Sequence, residues 1–239
     1  MSTRSTDASP PWILAIVGAE STGKSTLAEA LARRLSEETG WRCTWVPEYL
    51  REWCEREGRT PVCDEQAAIA DEQGRRIEAA AEDHDIVVCD TTPLMTAVYH
   101  RQVFSDDALD ASALAWQRRC ALTLLTALDL PWQADGLQRD GAHVREPVDA
   151  TTRALLVGAG LPFVVVGGLG EARVEAALDA VAPLLRVEGA PATGLFSRLA
   201  ARDAAQPEWR WVCETCDSPD CEHASLRQRR TASNLLQRR

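Results

Sequence analysis

The sequence lacks three features that would assign the chain to other classes of protein. No run approaches the roughly 18 apolar residues of a membrane-spanning helix, so we expect no membrane span. Residues 1–11 are polar and contain no apolar signal core, so we expect an N-terminal arm and a cytoplasmic protein. Basic residues are not in excess: 26 Lys and Arg against 36 Asp and Glu give a net charge of −10, which argues against a general nucleic-acid binder.

The composition is that of an ordinary globular protein. A length of 239 residues, with 45% hydrophobic and 26% charged residues, suits one α/β domain with an appendage. The eight cysteines are expected to be reduced thiols or metal ligands in a cytoplasmic protein, and not disulfides.

The most specific motif is the segment GAESTGKST at 18–26, which matches the phosphate-loop pattern G-x-x-x-x-G-K-[ST]. The pattern suits polyphosphate because backbone N–H groups surround the phosphate oxygens, Lys24 reaches the β- and γ-phosphates, and the Ser25 hydroxyl ligates Mg²⁺. An apolar run precedes the loop and an amphipathic helix follows it, as the motif requires. The residues expected to bind ATP are Gly18, Glu20, Ser21, Thr22, Gly23, Lys24, Ser25 and Thr26.

Alternation of apolar runs with amphipathic segments predicts the fold. Strands are expected at 12–17, 42–46, 86–89, 121–126 and 162–166, although a helix continuing to residue 128 competes with the fourth. Helices are expected between them, including 64–82, 93–104, 105–120, 149–160 and 171–185. The pattern therefore predicts an α/β P-loop nucleoside triphosphate hydrolase fold over residues 12–188, with a doubly wound parallel sheet of about five strands.

Two acidic residues follow predicted strands, at the sheet edge where such folds bind ligands. Asp90 after 86–89 suits a Walker B acid that holds Mg²⁺ or accepts the proton of an attacking hydroxyl; the alternative is a helix cap. Glu48, Tyr49 and Arg51 after the second strand either face an acceptor substrate, or Pro47 begins a helix whose dipole Glu48 supports. Lys24, Asp90 and Glu48 are the predicted catalytic residues, and the sequence leaves open which acid receives the proton.

Residues 131–146 form a loop that contains many groups able to contact a ligand. Trp132 could stack on a flat ring, Asp135 could bind a sugar hydroxyl, and Arg139 and Arg145 could bind phosphates. We interpret the segment as the lid of a small-molecule kinase, which keeps water from the transferred phosphoryl group. The alternative is a surface turn with a packed tryptophan.

The phosphate loop, Pro47-Glu48-Tyr49, Asp90-Thr91 and above all PWQADGL at 131–137 resemble the nicotinamide riboside kinase domain of NadR-type proteins, over roughly residues 12–185. The resemblance implies ATP-dependent phosphorylation of the 5′-hydroxyl of nicotinamide riboside. It implies that Trp132 and Tyr49 flank the nicotinamide ring, that Asp135 and Glu48 hold the riboside, and that Asp90 lies nearest the attacking hydroxyl. Larger NadR proteins carry an adenylyltransferase domain ahead of the kinase, and we expect no such activity here.

Residues 189–239 are predicted to form a C-terminal extension. Cys213, Cys216, Cys221 and His223, within the segment 209–223, suggest a zinc-knuckle-like structural Zn²⁺ site; the rivals are a redox C-x-x-C pair and free thiols. The basic tail after residue 223 suits either a nucleic-acid arm or a solvated helix.

Two other functions stay open at this point. One is a kinase for another nucleoside or small acceptor. The other is a nucleotide-dependent regulatory or adaptor ATPase whose extension contacts a partner. The expected ligands are ATP, Mg²⁺ and a small-molecule substrate, and a homo-oligomer is compatible with the sequence.

Overall fold

The computed structural model describes residues 10–133 and 141–185, and within them five parallel strands form one sheet. The strands are β1 (Trp12–Val17), β2 (Cys43–Val46), β3 (Ile86–Asp90), β4 (Leu122–Thr126) and β5 (Val164–Val166). Their order is β2-β3-β1-β4-β5, so β1 is central and the chain crosses from one side of it to the other after β3. This confirms the predicted doubly wound α/β fold and the strand at β4.

Seven helices and two short 3-10 helices connect the strands within the described residues. The helices are α1 (Lys24–Thr39), α2 (Tyr49–Glu57), α3 (Gln66–Asp83), α4 (Pro93–Phe104), α5 (Asp110–Gln117), α6 (Arg145–Gly158) and α7 (Glu171–Leu185), with 3-10 helices at Cys63–Glu65 and Ala142–Val144. The helix expected over 105–120 was too long, because Ser105 takes a left-handed conformation that ends α4 and the next helix begins only at Asp110. None of the described helices is both long and apolar enough to cross a membrane.

Both faces of the sheet are covered by helices. Ala15 and Val17 of β1 pack with buried residues of α4 and α6, while Ile13 packs with Ile77 of α3. Because side chains alternate along a strand, Leu14 and Ile16, which are fully buried, point to the opposite face. Helices α1 and α7 contact each other on that side. The result is a three-layer domain with its ligand edge at the carboxyl ends of the strands.

The packing of α3 depends on a glycine in its middle. A Cβ atom on Gly74 would lie 2.9 Å from the indole nitrogen of Trp116 in α5, so only glycine lets the indole approach this closely. Helix α3 keeps its regular hydrogen bonding through this position, so the glycine serves the contact between helices and does not break the helix.

Candidate nucleotide-binding site

The phosphate loop connects the central strand β1 to the first turn of α1. Gly18 begins the loop with φ of +143°, and a Cβ there would lie 2.2 Å from the hydroxyl oxygen of Thr126 at the end of β4. No other residue fits this backbone conformation and this approach of two strands. Lys24 and Ser25 begin α1, which directs the positive end of the helix at the loop.

Contacts from distant parts of the chain hold the loop in place. The hydroxyls of Thr22 and Thr126 lie 2.7 Å apart, and Thr22 Oγ1 also donates to the carbonyl of Ala19 at 2.8 Å. Arg173 of α7 donates from Nη1 to the Thr22 carbonyl at 2.5 Å and from Nε to the Gly168 carbonyl at 2.9 Å. Its Nη2 pairs with Asp129. The loop is therefore fixed both by β4 and by α7.

Lys24 is the only lysine in the sequence. Its side chain is almost fully buried, and its ammonium group donates to the carbonyl of Ala19 at 2.8 Å. This contact holds the charge within the phosphate loop, where it would meet the β- and γ-phosphates of a bound nucleotide.

Glu48 lies close enough to Lys24, Asp90 and Glu20 for their charges to act on it. Asp90 ends β3, lies beside Ile16 in the sheet and is 2% exposed. Glu48 precedes α2 and is half-buried. Burial raises the pKa of Glu48; Lys24 opposes this shift, and the carboxylates of Asp90 and Glu20 add to it. The electrostatic coupling brings the three predicted catalytic residues into one group.

The helix-cap alternative for Asp90 does not match the geometry, whereas Glu48 does stand at the start of a helix, where its charge can support the helix dipole. The N-cap of α4 is Thr92, so Asp90 lies inside the strand and caps no helix. Glu48 is the N-cap residue of α2, but its side chain makes no capping hydrogen bond. Neither carboxylate is therefore engaged in a capping hydrogen bond.

Ser25 and Asp90 offer oxygen ligands of the kind that suits Mg²⁺. Oδ1 of Asp90 is buried and has no hydrogen-bond partner within the part of the chain described, a costly state for a carboxylate oxygen. Ser25 is half-buried on the first turn of α1. A hydroxyl and a carboxylate, supplemented by phosphate oxygens and water, are the ligands Mg²⁺ uses in P-loop proteins. The residues present fit the ion.

A cavity of about 780 Å³ opens over the phosphate loop. Its lining includes loop residues from Ser21 to Thr26, and Arg51 approaches from α2. Leu130, Pro131 and Leu169 form an apolar wall on the β4 and β5 side. The volume lies in the range of small-molecule sites, and the mixture of a polar floor and an apolar wall suits a nucleotide.

The beginning of the predicted lid is attached to the phosphate loop. The backbone N–H of Gln133 donates to Ser21 Oγ at 2.8 Å. Trp132 is half-buried, and its indole nitrogen has no hydrogen-bond partner within residues 10–133 and 141–185. Arg145 is buried at the start of α6 and donates to the Leu130 carbonyl at 2.8 Å, so it supports the cavity wall.

Tyr49 occupies the edge of a small cluster around Trp53, and the Arg76 guanidinium lies 4.3 Å from its ring centroid. One face of the ring is thus already covered.

Several predicted site residues lie outside the described residues. These are Asp135 and Arg139 of the lid, and Cys213, Cys216, Cys221 and His223 of the C-terminal extension.

Sequence reasoning missed two residues that hold the loop, Thr126 and Arg173. Neither belongs to a short motif: Thr126 is 104 residues from Thr22, and Arg173 is 151 residues from it. Their roles follow only from the strand order and from the position of α7.

The model of an AAA domain family matches residues 13–173, which is more than half of the chain. The chain belongs to this family. A search of curated protein sequences found no significant match.

Two solved structures similar to this AAA-family chain are a crystal structure of NadR protein in complex with NR and one of NadR protein in complex with NAD and AMP-PNP. Both are 21% identical and cover 76% of this chain, with TM-scores of 0.58 and 0.55. The chain spans about half the length of those proteins, 52% and 51%. The similarity confirms the predicted NadR-like P-loop fold, and the phosphate loop together with the AAA family match supports nucleotide binding.

Proposed function

We propose that this AAA-family protein is an ATP-dependent small-molecule kinase that transfers the γ-phosphoryl group of ATP to the 5′-hydroxyl of nicotinamide riboside. The observation that carries the proposal is the electrostatic contact of Glu48 with both Lys24 and Asp90, because Lys24 lines the cavity above the phosphate loop. Phosphoryl transfer to a hydroxyl needs both a metal-binding acid and a proton acceptor, and this group supplies both. The NadR structures bound to NR (nicotinamide riboside) and to NAD with AMP-PNP support the choice of ligands.

The donor half of the site follows from the loop. The backbone N–H groups of the loop and Lys24 bind the triphosphate, while the base packs against the apolar wall of Leu130, Pro131 and Leu169. Ser25 and Asp90 would hold Mg²⁺, which would supply positive charge beside the phosphate oxygens. These residues therefore position the γ-phosphoryl group and stabilise its charge.

The acceptor half is built around Glu48. A carboxylate with a raised pKa is a better proton acceptor than one of ordinary pKa, and burial raises the pKa of Glu48. We therefore assign the proton transfer to Glu48 and metal binding to Asp90. Trp132, Tyr49 and Asp135 are the proposed contacts to the riboside, and Arg139 contributes charge from the lid. Arg145 positions the loop through Leu130.

A panel of acceptors tests the proposal. Purified protein is incubated with Mg²⁺-ATP and nicotinamide riboside, uridine, cytidine or thymidine, and acceptor-dependent ADP release and product mass are measured. We expect nicotinamide mononucleotide to be the main product. Turnover with another nucleoside alone would keep the kinase and reject the riboside. Tight ATP binding without acceptor-dependent turnover would favour the regulatory or adaptor function, with the C-terminal Cys/His segment as its contact surface.

A further inference from the structure

Three side chains with metal-ligating atoms form a second group that does not line the nucleotide cavity. Cys63 begins the 3-10 helix ahead of α3, His100 lies in α4, and Asp106 lies in the connection between α4 and α5. One ligand atom from each residue lies within 4.8 Å of the other two. The group therefore combines a thiol sulfur, an imidazole nitrogen and a carboxylate oxygen from three different segments.

His100 is the most deeply buried residue of the three. It is 3% exposed, and its ring packs against Phe104 with centroids 5.3 Å apart. Its Nε2 pairs with Oδ2 of Asp106 at 3.2 Å, while its Nδ1 has no hydrogen-bond partner within the described part of the chain. An imidazole nitrogen and a carboxylate oxygen that face each other at this distance, with a thiol beside them, can hold a metal ion between them.

We propose that Cys63, His100 and Asp106 bind a Zn²⁺ ion. Two ligand atoms at about 2.0–2.1 Å from a tetrahedral zinc ion are roughly 3.3 Å apart, and the Nε2 to Oδ2 separation is 3.2 Å. A thiolate, an imidazole and a carboxylate are donors that zinc accepts together, whereas Mg²⁺ and Ca²⁺ prefer oxygen ligands alone. Three protein ligands leave the fourth position to water.

The surroundings suit such a site. The second carboxylate oxygen of Asp106 accepts a hydrogen bond from the backbone N–H of Ala108 at 3.0 Å, which fixes the direction of the oxygen that faces His100. Cys63 is half-buried, so an ion can reach the group from solvent. The ion would join the segment before α3 to the end of α4. This site does not depend on the proposed kinase activity.

Metal binding by the full-length chain tests the proposal. The C-terminal cysteines are a second predicted zinc site, so the parent protein carries Cys213→Ser and Cys216→Ser. Zinc content is measured after dialysis, and Co²⁺ replaces zinc as a spectroscopic probe because a cobalt–thiolate band appears only when a cysteine ligates the ion. We expect one equivalent of metal in the parent and a thiolate band in its Co²⁺ form.

Three variants of this parent identify the ligands. Cys63→Ser should abolish the thiolate band and weaken metal binding at least roughly 100-fold, because even the loss of an outer-shell partner costs 10- to 100-fold. Asp106→Asn, which can still accept the bond from Ala108, should weaken binding while the protein stays folded. Cys43→Ser is the matched control, since Cys43 is also a half-buried free thiol but lies outside the group. A parent that binds no metal, or a Cys63→Ser variant with the parent's affinity and band, would overturn the proposal.

Discussion

Replacing Arg173 with methionine removes the link between α7 and the phosphate loop. Methionine fills similar space but donates no hydrogen bond, so the Thr22 and Gly168 carbonyls lose their donors and Asp129 loses its charged partner. The Arg173 side chain is only 5% exposed, so water cannot easily replace the lost donors. The substitution therefore tests whether the loop depends on a residue 151 positions away from Thr22.

The magnitude follows from the three contacts. A hydrogen bond from a charged donor contributes about 1.5–3 kcal/mol, and two such bonds go to backbone carbonyls. The pair with Asp129, whose side chain is 38% exposed, contributes little because solvent screens it. We expect Arg173→Met to lower the free energy of unfolding by roughly 3–6 kcal/mol, with Arg173→Lys in between because it keeps the charge but not the fork of donors.

Urea unfolding monitored by tryptophan fluorescence measures the loss, and AMP-PNP titration measures the effect on the loop. Arg153→Met is the matched control: Arg153 is 38% exposed and pairs with Asp149 one helical turn away, so it should cost less than about 1 kcal/mol. Nucleotide affinity should fall in Arg173→Met and stay unchanged in the control. A loss of stability equal to that of the control, with unchanged AMP-PNP affinity, would refute the reasoning.

Three further predictions concern other parts of the domain. Because burial raises the folded-state pKa of Glu48, the ionised Glu48 destabilises the fold increasingly as pH rises through that pKa. Glu48→Gln should therefore be more stable than wild type at neutral pH, and urea unfolding should show the difference in stability disappearing toward pH 4. A difference that does not change with pH would argue against the raised pKa. Gly74→Ala should destabilise the protein by about 1–3 kcal/mol, because the added Cβ would collide with the Trp116 indole. Gly158→Ala, with open space around it in α6, should stabilise the protein by up to about 1 kcal/mol. Equal effects of the two substitutions on thermal unfolding would contradict this packing. Since Lys24 is the only lysine, an acyl-phosphate derivative of ATP should modify that position alone, and intact-mass analysis should show no such label in Lys24→Arg or in excess ATP.

The sequence predicted the elements whose signals are local. The phosphate loop is contiguous, and β1 and β3 are uninterrupted apolar runs, so strand, loop and helix could be assigned without tertiary information. The meeting of Glu48 and Asp90 also followed, because the carboxyl ends of parallel strands share one edge of a sheet. The sequence did not show which acid lies nearer to β1, the strand that leads into the phosphate loop. The strand order decides this, because β3, which carries Asp90, lies next to β1, and β2, which precedes Glu48, does not.

Contacts between residues far apart in the chain could not be predicted from the sequence. The roles of Arg173 and Thr126 depend on which strand and helix lie beside the loop, and arginines are too common in this chain for one of them to be singled out. His100 presents the same problem, since its burial and its approach to Cys63 depend on how α3 packs against α4. The start of α5 was misplaced because the left-handed turn at Ser105 has no glycine to indicate it.

The most direct test of the central claim follows the γ-phosphate itself. ATP labelled on the γ-phosphorus is incubated with the protein, Mg²⁺ and nicotinamide riboside, and labelled products are separated. The account predicts that the label appears in nicotinamide mononucleotide at the 5′ position, and that Lys24→Ala, although folded, transfers none. Label that goes only to inorganic phosphate, at a rate unaffected by the riboside, would contradict the account and identify an ATPase instead of a kinase.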